Sequence, residues 1–73
     1  MEQRAHFSKK LEDLKVMVLR MAALSESAVH KAVRAYLEND ADLAEEVIVG
    51  DEAINEMEDE IDNFSLELLA LDQ

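Results

Sequence analysis

The sequence predicts an all-α protein, a long antiparallel helical hairpin, and three observations carry that prediction. Proline is absent and glycine occurs once in 73 residues, so the two residues that most disfavour helices are almost missing. Apolar residues recur at alternating spacings of four and three, the period of a helix face packed on another helix. A short polar break at Asn39-Asp40 divides that pattern into two seams.

The first helix is expected over about residues 5–38. Its seam runs Phe7, Leu11, Leu14, Val18, Met21, Ser25, Ala28, Ala32 and Ala35. The second half of the seam is small, which favours close approach of another helix, while Leu24, Val29, Val33, Tyr36 and Leu37 widen the apolar face. A stripe that broad suits more than one neighbour.

The turn is placed at 39–41, where Asn39 and Asp40 can accept hydrogen bonds from the free amides that open a helix. The second helix is expected over about 41–72, with Asp42, Glu45 and Glu46 in its first turns, where the positive end of the helix dipole favours acids. Its seam runs Leu43, Val47, Gly50, Ile54, Met57, Ile61, Phe64, Leu68 and Leu71. A mid-helix glycine costs about 1 kcal/mol relative to alanine, so Gly50 on the seam predicts a close helix crossing, or else a kink. Two matched seams joined by a tight turn make a hairpin, each arm about 50 Å long at 1.5 Å per residue.

A hairpin packed only on itself leaves apolar side chains bare. These are expected to include Leu24, Val29, Val33 and Leu37 on the first helix and Ile48, Phe64 and Leu68 on the second. Exposed patches beyond a few hundred Å² rarely persist on soluble monomers. A homo-oligomer is therefore expected, a two-fold dimer forming a four-helix bundle.

A chain of 73 residues is at most one domain and has a marginal core, so partners or staples are expected. There is no cysteine, which removes disulfides and thiolate metal sites and suits a cytoplasmic location. No run approaches the roughly 20 apolar residues of a membrane span, and MEQRAHFSKK lacks the apolar core of a signal peptide. The formal charge is −11, the wrong sign for nucleic acid. It favours cations or basic protein surfaces.

That charge is unevenly placed. Residues 1–38 hold all seven Lys and Arg against five acids, whereas residues 39–73 hold thirteen acids and no base. Cross-hairpin pairs from Lys15, Arg20, Lys31 or Arg34 are expected to be worth about 0–1 kcal/mol each. Within the second helix, Asp51, Asn55, Glu58 and Asp62 follow spacings of four, three and four, which lines their oxygens along one face. Such a row of hard oxygen ligands suits Mg²⁺, Mn²⁺, Ca²⁺ or carboxylate-bridged iron. It holds only one edge of a cation, and charge runs on helices usually face water.

The pattern V-I-x-G-D-x-x-I-N-x-M-E-x-x-I-D over 47–62, preceded by the long helix containing MAALSESAVHKAVRAYLENDADLAE, closely resembles the amino-terminal part of the PhoU family of phosphate-uptake regulators. Glu58-Asp59-Glu60-Ile61-Asp62 matches that family's Glu/Asp-x-x-x-Asp metal motif, and Asp51-Glu52-Ala53-Ile54-Asn55 is a looser match ending in Asn. The resemblance implies a part of two tandem three-helix bundles that bind multinuclear iron or another divalent metal such as manganese, magnesium or zinc. Glu58 and Asp62 would be ligands, with Asp51 and Asn55 weaker candidates. It also implies a non-enzymatic regulator that represses the phosphate-starvation response by contacting the phosphate transporter's ATPase and a sensor histidine kinase. The chain ends at Asp72-Gln73, about where the family enters its third helix, whose Glu-Arg-Ile-Gly-Asp motif supplies partner ligands. A complete metal cluster is therefore not expected from these residues alone.

The remaining polar residues read as structure. Glu26 and His30 are four apart, whereas the di-iron bundle motif spaces Glu and His by three, so a surface ion pair is expected. Ser25 and Ser27 lack a nucleophile elbow or a histidine base at a known spacing. Met17, Met21 and Met57 are expected to fill gaps in the apolar contact. No catalytic constellation points to an enzyme, and the reading that competes with the regulator is a structural acidic hairpin that serves to oligomerise.

Overall fold

A computed structural model describes residues 2–72, with side chains over 4–71. Helix α1 spans Glu2–Glu38 and helix α2 spans Ala41–Asp72, and the two pack against each other as a hairpin. The body measures 56 × 15 × 12 Å. That length is about the 1.5 Å rise times the residues of α1, so neither arm folds back on itself.

The turn works because two residues satisfy both helix ends. Asn39 adopts a left-handed conformation with φ of 51°, which asparagine tolerates better than other non-glycine residues. This reverses the chain so that the Asn39 N–H donates to the Tyr36 carbonyl at 3.4 Å and the Asp40 N–H to the Ala35 carbonyl at 2.9 Å. Two carbonyls orphaned at the end of α1 are thereby satisfied. Asp40 then starts α2: its carboxylate Oδ1 accepts from the Leu43 N–H at 3.0 Å, and its carbonyl accepts from the Ala44 N–H at 3.1 Å. A cap of this kind typically contributes about 1 kcal/mol.

The contact between the arms differs in one respect from the seam expected for α1. Phe7, Leu14, Met21, Ser25, Ala28 and Ala35 lie in or beside it, but Leu11, Val18 and Ala32 are exposed, and Lys10, Met17 and Lys31 are the better covered. The heptad pattern offers α1 a choice of two flanks beside the common row 7, 14, 21, 28, 35. Apolarity alone favours 11/18/32. The structure takes 10/17/31, because α2 carries the acids and the two lysines can lay their methylene stems on it while keeping their charges wet. Lys10 Nζ sits 5.6 Å from the centroid of the Phe64 ring, within cation–π range. Lys31 Nζ reaches Glu46 Oε1 at 3.3 Å.

On α2 the contact follows Leu43, Val47, Ile54, Met57, Ile61, Phe64 and Leu68. Phe64 and Leu68, expected on the second seam and also among the side chains left bare, are in the contact, as the seam required; Leu68 is 5% exposed and, with Ala35 at 6%, forms the fully buried core among the described residues. Leu71, near the end of the second seam, is exposed. Met17, Met21 and Met57 are all partly covered.

Gly50 also departs from expectation. A Cβ placed there would meet nothing within 4 Å, so the helices do not close on it. Small residues on both arms, Ser27 and Ala28 opposite Gly50 and Ala53, leave instead a shallow cleft of 200 Å³. With open space and ordinary helical backbone, Gly50→Ala should stabilise the hairpin by about 1 kcal/mol. That corresponds to a rise of about 4–8 °C in the midpoint of a thermal melt followed by circular dichroism.

Candidate functional site

The four residues of the predicted oxygen row, Asp51, Asn55, Glu58 and Asp62, are all exposed on α2. Which side of the hairpin they occupy follows from a cleft near the turn. Ala32, Ala35 and Tyr36 of α1 and Ala44, Val47 and Ile48 of α2 line one space of 340 Å³, so Ala44 and Ile48 share a face with Ala32 and Tyr36. Stepping on from Ile48 by three and four residues gives Asp51, Asn55, Glu58 and Asp62 in turn, since these spacings keep to one helix face. On α1 the same face continues back from Tyr36 and Ala32 through Val29, Val18 and Leu11. One face of the hairpin therefore carries an apolar strip on α1 beside the carboxylate row on α2.

The opposite face has a different character. Its cleft is lined by Leu24, Ser27 and Lys31 of α1 and Glu46, Gly50 and Ala53 of α2, and it holds the ion pair between the arms. Of the four bases expected to bridge the hairpin, Lys31 does so. Arg34 instead donates from Nε to Glu38 Oε2 at 3.2 Å on its own helix. Lys15 and Arg20 take no cross-hairpin partner among the described residues. The Lys31–Glu46 pair is about half exposed on both sides, which limits its contribution to well under about 1 kcal/mol.

The donor set of the carboxylate row fits a hard divalent cation. Among the described residues, however, no three His, Asp or Glu groups converge at metal-binding distances. His30 stays with Glu26, Nε2 to Oε1 at 3.7 Å, both well exposed. Among the described residues no polar or charged side chain is buried and no buried polar side-chain atom lacks a partner. No helix of the described residues is long and apolar enough to cross a membrane.

The sequence pattern located the oxygen row but not its neighbour. That the row lies beside an uncovered apolar strip depends on how α1 is rotated, and the rotation was set by Lys10 and Lys31. The signal present in the sequence was the complementarity of those lysines to the acids of α2.

A capped hairpin with one charged, bridged face and one face of apolar and carboxylate rows defines a unit of a helical bundle. The PhoU domain matches residues 18–73, and the chain belongs to that family. It is 40% identical over 65 residues to the phosphate-specific transport system accessory protein PhoU homolog of Aquifex aeolicus (strain VF5), covering 89% of this chain and 29% of that protein. It is 41% identical over 64 residues to the homolog of the same name from Pseudomonas putida, covering 88% and 25%. To the phosphate-specific transport system accessory protein PhoU of Escherichia coli (strain K12) it is 34% identical over 64 residues, covering 88% and 27%. The chain thus spans under a third of the length of these relatives. No solved structure matches it significantly.

The exposed row makes a physical prediction independent of any ligand. Asp62 repels Glu58 and Asp59 across helix turns, by roughly 0.2–0.5 kcal/mol for each like-charge pair. Glu58→Gln combined with Asp62→Asn should raise the thermal midpoint at low ionic strength. Added salt screens exposed charges, so the gain should shrink between 10 and 500 mM NaCl in melts followed by circular dichroism.

Proposed function

We propose that this hairpin belongs to a regulatory accessory protein of phosphate transport and acts by binding rather than by catalysis. The observation that carries the reading is the match of residues 18–73 to the PhoU domain, which includes the whole acidic helix α2. In this reading the protein works in the cytoplasm, where its helical surface contacts the phosphate transporter's ATPase and a sensor histidine kinase, and so couples phosphate uptake to phosphate-starvation signalling.

Within that role the carboxylate row supplies one edge to a divalent cation, iron or another metal such as manganese, magnesium or zinc. Glu58 and Asp62 are the principal ligands, and Asp51 and Asn55 the weaker pair. The remaining ligands come from outside these two helices, since a single helix face cannot enclose a cation. A second reading, self-association as a structural module, is favoured by one observation: large apolar side chains of α1 remain uncovered, with Tyr36 82% and Val29 63% exposed. The two readings are compatible, and copies of the hairpin associate through that surface.

Grafting residues 18–73 in place of the matching segment of the Escherichia coli relative tests the role. The chimaera should keep phosphate uptake, followed with radiolabelled phosphate, at the level given by the unmodified protein; a folded chimaera that behaves as a deletion does would sink the reading. The metal edge is tested by titrating the chain with Mn²⁺ in a calorimeter. Binding should be weak, on the order of 0.1–1 mM for so few ligands, and should vanish with Glu58→Gln and Asp62→Asn together. Heats unchanged by the substitutions would discard the edge.

A further inference from the structure

We draw no further inference here: the strongest candidate, the 200 Å³ cleft that Leu24, Ser27, Gly50 and Ala53 line on the face bridged by Lys31 and Glu46, is a stripe of mostly small residues, and nothing in the structure shows what fills it.

Discussion

Two helices touch along one line, and nearly everything in this structure follows from that limit. Each arm can hide only the stripe that faces the other, so a 37-residue and a 32-residue helix fully bury only Ala35 and Leu68 among the described residues. Burying a large aliphatic or aromatic side chain contributes roughly 1.5–3 kcal/mol when complete, and here most such contributions are partial. The hairpin is therefore defined more sharply at its turn, where Asn39 and Asp40 satisfy both helix ends, than along its length.

Because the contact is narrow, a small preference decides which stripe is used. The common row of α1 is fixed by Phe7, Leu14, Met21, Ala28 and Ala35, and apolarity alone would turn the helix slightly toward Leu11, Val18 and Ala32. Helix α2 favours the other flank electrostatically. Its acids attract Lys10 and Lys31 to the contact edge, where one amine lies over the Phe64 ring and the other meets Glu46. Neither interaction is worth much alone: the Lys31–Glu46 pair is about half exposed, and a single cation–π contact contributes about 0.5–1 kcal/mol unless fully desolvated. With Lys10 and Lys31 at the contact edge, the apolar row through Leu11, Val18 and Ala32 lies on the open face.

This also separates what the sequence carried from what it did not. The two helices, the turn at Asn39-Asp40 and the seam of α2 through Leu43, Val47, Ile54, Met57 and Ile61 were legible, because proline-free heptads and a polar break admit few alternatives. The rotation of α1 was not, because a rule that places apolar residues inside and lysines outside cannot weigh a lysine stem that packs while its amine stays in water. Gly50 misled for a related reason. Glycine on a seam permits close approach without compelling it, and the small residues facing it leave a cleft in place of a crossing. The oxygen row could be found from its spacing, but a metal shell is a convergence of several elements, and two helices supply only one wall of it.

The rotation has a consequence for function that neither helix has by itself. Had α1 buried Leu11 and Val18, the carboxylate row of α2 would face solvent beside a polar surface, and a cation there would compete only with water. With the apolar strip turned to the same side, any element that covers this face must meet both rows at once: it gains apolar contact along α1 and removes water from the flank of Asp51, Glu58 and Asp62. Desolvating crowded carboxylates is costly unless a cation or a basic group compensates them. Covering the strip and neutralising the row are therefore thermodynamically linked, each favouring the other. A surface built this way couples assembly to charge compensation.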